Sequence, residues 1–222
     1  MRKAFHRLGQ QQNISFLGDG GYGTGGASLT LNVPAGIQSG DLMLAFMTLG
    51  ASRTAGSFSA PAGWTALPPS GQQASGAHFV QGFYFWRVAG PSEPPTYTFN
   101  TAGGPQSPFC DGNIRGYHGT STNSPIGATS VAGGGAVTSV TVPALPGFAP
   151  GEWAVYCVSS TQSGAYSSSS PNPLSDAVYL PNSKACAYEI GDFIPQQPPA
   201  AETLTWAAAG GAIFAIGITI LP

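Results

Sequence analysis

Twice in this chain a strand-like run ends at Val-Pro-Ala, a few turn residues follow, and a glycine with an acidic neighbour opens a new apolar run. The first copy is Val33-Pro34-Ala35, Gly40-Asp41, then Leu42-Met43-Leu44-Ala45. The second is Val142-Pro143-Ala144, Gly151-Glu152, then Trp153-Ala154-Val155-Tyr156, about 110 residues later. Proline lacks the N–H that a ladder needs, so Val-Pro ends a strand. The Gly–acid pair turns a corner, and a carboxylate there is suited to accepting hydrogen bonds from turn amides. Other pieces keep roughly the same offset. Pro61-Ala62-Gly63-Trp64 stands opposite Pro171-Asn172-Pro173-Leu174, and Pro94-Pro95 before Tyr97-Thr98-Phe99 opposite Pro198-Pro199 before Leu204-Thr205-Trp206. A strand–corner–strand device used twice suits a β-sandwich whose chain switches sheets.

A reading of alternation together with bounding turn residues marks strands at Ala27–Val33, Leu42–Leu49, His78–Val88, Thr96–Asn100 and Asn113–His118. In the second half it marks Ala136–Val142, Trp153–Ser159, Ala177–Leu180, Lys184–Ile190, Glu202–Ala207 and Ala212–Leu221. No window sustains a helical period, and prolines punctuate most gaps. The uncharged stretch from Thr203 to Pro222 is long enough to span a bilayer. Yet Phe214, Ile216, Ile218 and Ile220 alternate with Ala215, Gly217 and Thr219, which predicts a buried strand. The expected fold is all-β: a jelly-roll-type β-sandwich over residues 27–222 with an internal pseudo-repeat. The alternative is two half-domains, 27–125 and 126–222. Apolar runs without alternation, such as Leu42–Ala45, predict strands covered on both faces, the second cover supplied by another subunit.

Residues 1–26 differ from the rest. They hold Arg2, Lys3 and Arg7, then a Gln-Gln-Gln-Asn patch, then the run Gly18-Asp19-Gly20-Gly21-Tyr22-Gly23-Thr24-Gly25-Gly26. No apolar run follows the basic residues where a secretory signal would place one. The segment reads as an extended assembly arm outside the sandwich core, with Phe5, Leu8, Phe16 and Leu17 as its apolar contacts and the glycines as a flexible lead-in. Trp64, Tyr84 and Trp86 are a candidate aromatic contact surface, on which a surface glycan would stack.

Chemistry is sparse. Charged residues are 7% of the chain, and 7 Lys and Arg stand against 9 Asp and Glu, for a net charge of −2. That balance points away from nucleic acid. The three histidines, His6, His78 and His118, form no local pair of metal-ligand spacing. No Gly-x-Ser-x-Gly elbow or phosphate loop occurs. Asp111-Gly112-Asn113 reads as a turn. Asp41 and Glu152, equivalent in the repeat, read as corner residues. Cys110, Cys157 and Cys186 make no spaced pair and read as reduced thiols. No catalytic residue, metal or cofactor is expected, and no membrane partner.

One ordered series remains: Leu31-Asn32-Val33-Pro34-Ala35-Gly36, Gly40-Asp41-Leu42-Met43-Leu44, Pro61-Ala62-Gly63-Trp64-Thr65, and Trp86-Arg87-Val88-Ala89 before Glu93-Pro94. The series resembles a β-sandwich module of bacteriophage and prophage virion structural proteins, among head-decorating and tail-associated components. The likeness covers about residues 27–220. It implies a non-enzymatic virion protein of capsid-decoration, cement or head-appendage type. Such a protein is assembled in the host cytoplasm, contacts other capsid or tail proteins and forms a homo-oligomer. A tail-associated or adhesion protein, and a carbohydrate-binding module, are the alternative expectations.

Overall fold

The computed structural model of the protein describes residues 14–51, 56–68, 71–75, 78–102, 109–160, 166–168, 187–193, 201–206 and 211–222. Among them there is no helix. The first-half strands are β1 (Ser15–Asp19), β2 (Gly23–Gly25), β3 (Ser28–Asn32), β4 (Leu42–Ala51), β5 (Ser57–Ser59), β6 (Thr65–Ala66), β7 (Gly71–Ser75), β8 (His78–Val88), β9 (Thr96–Ala102) and β10 (Phe109–His118). Those of the second half are β11 (Ile126–Val137), β12 (Ser139–Val142), β13 (Trp153–Ser160), β14 (Tyr166–Ser168), β15 (Ala187–Phe193), β16 (Glu202–Trp206) and β17 (Gly211–Ile220). Every pairing between them is antiparallel. The chain is therefore all-β, as the alternation predicts.

The strands form two inner and two outer sheets. One inner sheet runs β1-β10-β4-β8-β6, with β2 also on β10 and β7 also on β8; the other runs β11-β17-β13-β15. The outer sheets run β3-β9-β5 and β12-β16-β14. The two halves match strand for strand, β3, β4, β5, β8, β9 and β10 corresponding to β12, β13, β14, β15, β16 and β17. The sequence echo is thus a repeat of topology as well as of corners.

Three apolar cores separate four layers. Leu29, Leu31, Phe58, Tyr97 and Phe99 of the first outer sheet pack on Met43, Ala45, Met47, Phe83, Phe85 and Ile114 of its inner sheet. Val140 and Val142 pack on Ala154, Tyr156, Val158, Ile213 and Ala215 in the second half. The central core joins the two inner sheets: Leu42, Leu44, Phe46, Val80, Tyr84 and Tyr117 meet Trp153, Val155, Cys157, Phe214, Ile216, Ile218 and Ile220. Adjacent residues on an inner strand point to opposite sides, and here both sides are dry. Hence Leu42–Gly50, all of β13 and Ala212–Ile220 are buried at every position. The sequence marks these strands as covered on both faces, and the second cover is the chain's own other half. No helix of the described residues is long and apolar enough to cross a membrane; the uncharged C-terminal stretch ends in β17, between β11 and β13.

The start of the chain departs from the arm reading. Residues 1–13 lie outside the described residues, but β1 and β2 extend the inner sheet by pairing with β10. Ile14 belongs to the central core, and Phe16 and Tyr22 pack against it. Three of the glycines at 18–26, Gly20, Gly23 and Gly25, are required for close approach, which a flexibility argument does not anticipate. A Cβ on Gly23 would lie 2.8 Å from Leu31 Cδ2 and 2.9 Å from the Thr30 carbonyl. One on Gly20 or Gly25 would collide with the carbonyl of Asn32 or Ser28. Two further differences concern strands. Asp111-Gly112-Asn113 is the buried middle of β10 and no turn. The long, Gly-Ala-rich β11 escapes an alternation test because small residues carry little contrast.

Candidate functional site

The two corners of the repeat are built alike. In the first, Gln38 N–H donates to Asp41 Oδ2 at 2.7 Å, and Asp41 N–H donates back to the Gln38 carbonyl at 3.1 Å. In the second, Ala149 N–H donates to Glu152 Oε2 at 2.9 Å, and Glu152 N–H to the Ala149 carbonyl at 3.2 Å. Gly40 and Gly151 precede the two acids at φ of 97° and 93°, a backbone state that favours glycine. Only the first corner adds an imidazole: His118 Nδ1 lies 2.6 Å from Asp41 Oδ1, its side chain 59% exposed above a carboxylate that is 3% exposed. In register terms Leu221 follows β17 where His118 closes β10, so the second half makes its corner without the ring. The His118–Asp41 pair is a clamp on the corner.

Two of the four pieces of the ordered series, the Pro61–Thr65 turn and the Trp86–Pro94 segment, meet at one place. Glu93, in the loop after β8, accepts from Arg87 Nε and Nη2, each at 3.2 Å, from Gly90 N–H at 2.5 Å, and from the Tyr97 hydroxyl. Arg87 Nη1 also donates to the Ala62 carbonyl at 3.2 Å, in the Pro-Ala-Gly-Trp turn. Trp64 packs edge-on against Tyr97 and Phe99, at 5.2 and 5.4 Å between ring centres. Four segments are thereby tied together: the turn, the end of β8, its loop, and β9. Burial alone would raise the Glu93 carboxyl, but the bonds from Tyr97, Gly90 and Arg87, with the Arg87 charge, outweigh it and hold the group below its usual 4.5. Burial, and then the Glu93 hydrogen bond and charge, push the Tyr97 phenol up to about 12.

A pH dependence follows from Glu93. Its pKa is depressed on folding, so its contribution is complete above the unfolded value and is lost as pH falls through the folded one. The melting temperature should therefore drop as pH is lowered from about 5 to 3. Glu93→Gln should melt lower than the parent at pH 7 and lose part of this acid sensitivity. Thermal scans at stepped pH check both, and equal slopes for the two chains would refute the assignment.

The aromatic contact surface does not form. Trp64 lies in the outer core, Tyr84 lies in the central core stacked on Phe214, and Trp86 packs at the rim of that central core. Trp64 and Tyr84 therefore serve opposite faces of one sheet and cannot form a single platform. Of the arm residues, Arg2, Lys3, Phe5, Arg7 and Leu8 lie outside the described residues. Phe16 packs on Tyr117 at 5.7 Å, and Leu17, beside the bulge in β1, is exposed.

Each charged side chain that the structure describes has an internal use. Asp19 accepts from Gly21 N–H at 2.8 Å. Asp41 and Glu152 hold corners, and Arg87 and Glu93 pair. Asp111 and Arg115 are buried in β10, and the Arg115 guanidinium sits 4.1 Å above the Phe16 ring. The outer sheets present neutral residues, among them Thr30, Thr98, Ser57 and Ser59 on one side and Thr141 and Thr205 on the other. Thr30 and Thr98 bond across their strands at 2.9 Å, and Thr141 and Thr203 repeat the contact at 2.8 Å. A half-open cleft of about 500 Å³ lies beside β5, β6 and β8, its apolar wall formed by Phe58, Leu67, Pro68, Phe83 and Phe85. Among the described residues no three His, Cys, Asp or Glu side chains are grouped for a metal ion.

Cys110 and Cys157 are free and buried; Cys186 lies outside the described residues. Burial, then the neighbouring Asp111 charge, pushes the Cys110 thiol up to about 12. Burial pushes Cys157 higher still, against the neighbouring Tyr84 hydroxyl and the Arg115 charge. Neither forms thiolate at neutral pH, so both should be inert. At pH 8 the native chain should consume no more than one equivalent of a thiol reagent, and three after denaturation. Two or more fast-reacting thiols in the native chain would contradict the buried placement. No family model, curated protein or solved structure matches the chain.

Proposed function

We propose that the chain is a non-enzymatic structural protein of a bacteriophage or prophage virion, of the capsid-decoration, cement or head-appendage type, acting through protein–protein contacts. The observation that carries the reading is the use made of the ordered series. Trp64, Arg87, Glu93 and the Pro-Ala-Gly turn are gathered at one corner and hold it shut. Signature residues spent on rigidity fit a module whose task is to be a durable part. The neutral outer faces support the same reading, because contacts made through them do not depend on screened ion pairs. The jelly-roll classification belongs to this proposal too: in the second half every connection crosses from one sheet to the other, as in double-sheet rolls. Homo-oligomer formation is a further part of it.

The test is the chain's place in purified particles from a host that produces them. Mass spectrometry should find it in fixed stoichiometry, and imaging at side-chain resolution should place it on the head. Placement on the tail would favour the tail-associated alternative. Absence from particles, with retention of the free chain on a polysaccharide column, would overturn the structural reading in favour of a carbohydrate-binding module.

A further inference from the structure

Stacked sheets leave edges, and most of the described edges here are blunted. β6 has two residues, β5 and β14 have three, β12 has four, and β3 and β7 have five. β1 is interrupted by a bulge between Phe16 and Gly18, and the sequence of β15 carries Glu189 and Asp192. Short, bulged or charged edges resist pairing with another chain. β11 is built otherwise. It runs for 12 residues at the end of the second inner sheet. Its bulges lie between Ile126 and Thr129 and between Gly134 and Val137, and the run Thr129–Gly134 between them is regular. It contains no proline, and no Asp, Glu, Lys, Arg or His occurs from Gly119 to Gly151.

Both faces of that run are engaged within the chain. Val131 packs on the central core, and Thr129 Oγ1 donates to the Pro68 carbonyl of the first half at 3.3 Å. On the other face Ala132 packs on the outer core of the second half, and Ser130 Oγ donates to the Ala144 carbonyl at 3.2 Å. What is left is the backbone at the edge. Leu221 N–H donates to the Pro125 carbonyl, which fixes the residues of β17 whose backbone groups turn toward β11. β17 pairs with β13 without a register shift, so the alternation carries on to Gly217, Ala215 and Ile213. Their partners Ser130, Ala132 and Gly134 spend their N–H and C=O groups on β17. Thr129, Val131 and Gly133 point theirs the opposite way, and among the described residues no strand or loop backbone bonds them there.

We propose that this edge is where the chain meets a second copy of itself, β11 against β11 in antiparallel pairing about a twofold. With the axis at Val131, Val131 pairs with its own copy and Thr129 with Gly133, each pair exchanging both of its hydrogen bonds. The two four-stranded inner sheets become one continuous sheet. Two observations favour a copy over a foreign strand. Strand addition draws its specificity from side-chain pockets beside the edge, and the faces of β11 are already taken by Pro68 and Ala144. A twofold also sets every side chain near its own duplicate, where like charges repel, and this stretch carries none. The contact is isologous and consumes both edges, so assembly through it stops at two. The proposal deepens the homo-oligomer part of the proposed function.

Sedimentation of the full chain over micromolar concentrations should show a monomer–dimer equilibrium. Val131→Pro removes the outward N–H at the axis in both copies and leaves the ladder to β17 intact. It should keep the parent's circular dichroism spectrum and raise the dimer dissociation constant on the order of tenfold or more. Leu17→Lys, at the β1 edge, should leave the dimer as it is. Amide hydrogen exchange reads the same edge in the parent chain, however the variants fold. Thr129, Val131 and Gly133 should exchange slowly where the dimer predominates and fast on dilution, while Ser130 and Ala132 stay slow at both concentrations. A monomer throughout, a dimer that survives Val131→Pro, or exchange at Val131 that ignores concentration would each overturn the proposal. The isolated chain decides this apart from the virion reading: a monomer that is present in particles sinks the pairing alone, and a β11 dimer absent from particles sinks the virion reading alone.

Discussion

Ile216→Asp is expected to leave no folded chain. Ile216 is 0% exposed at the middle of β17, paired with Val131 on one side and Cys157 on the other. Its side chain lies in the central core between the inner sheets. Burying a carboxylate there without partners costs several kcal/mol even after the group takes up a proton. Losing the isoleucine adds about 1.5–3 kcal/mol. A domain's whole stability is about 5–15 kcal/mol, so the sum removes most or all of it. Thr205→Asp, on the exposed face of an outer sheet, is the matched control and should melt close to the parent. Solubility and thermal scans of the two variants check the expectation. A soluble Ile216→Asp chain with unchanged melting would mean that the inner sheets do not face each other.

Deleting residues 1–26 is expected to be nearly as damaging, the reverse of what a detachable arm would do. The deletion removes β1 and β2 from the edge of β10, with Ile14, Phe16 and Tyr22 from the central core. At about 1.5–3 kcal/mol for each large apolar side chain when fully buried, the loss is a substantial part of a domain's stability. It also strips the Phe16 ring from the Arg115 guanidinium. Deletion of residues 1–13 is the comparison, because the two chains differ only in Ile14–Gly26. Circular dichroism melts should show the longer deletion unfolded or strongly destabilised relative to the shorter. Equal melting of the two would restore the arm.

What the sequence made legible follows from which signals are local. Val-Pro ends and Gly–acid corners are local, and the equivalence of Asp41 and Glu152 is visible in the letters alone. A reading of alternation and bounding turn residues finds β3, β4, β9, β13 and β17 with small errors at their ends. It passes over β5, β6 and β14, which are two or three residues long. At β10 it finds Asn113–His118 and misses only the start of the strand, because Asp111-Gly112-Asn113 has the letters of a turn although it is buried. The aromatic reading of Trp64 and Tyr84 failed because period two separates faces without saying what covers each. At Gly20, Gly23 and Gly25 composition suggested slack where the backbone is crowded. Glu93 and Arg87 were legible as part of a series, but their bonds to Tyr97 and Ala62 depend on long-range packing.

The four-layer stack also has a consequence in time. The first half ends at His118, and β17, which completes the second inner sheet, ends at Ile220, about 100 residues later. At ordinary translation speeds of 5–20 residues per second that is roughly 5–20 s. During this interval Leu42, Leu44, Phe46, Val80 and Tyr84 have no second sheet to cover them, and neighbouring ribosomes on one message carry the same nascent surface. Every copy passes through a stage at which its stickiest face is displayed beside identical faces. A fused pair of sandwiches therefore meets its strictest demand before its second half is made.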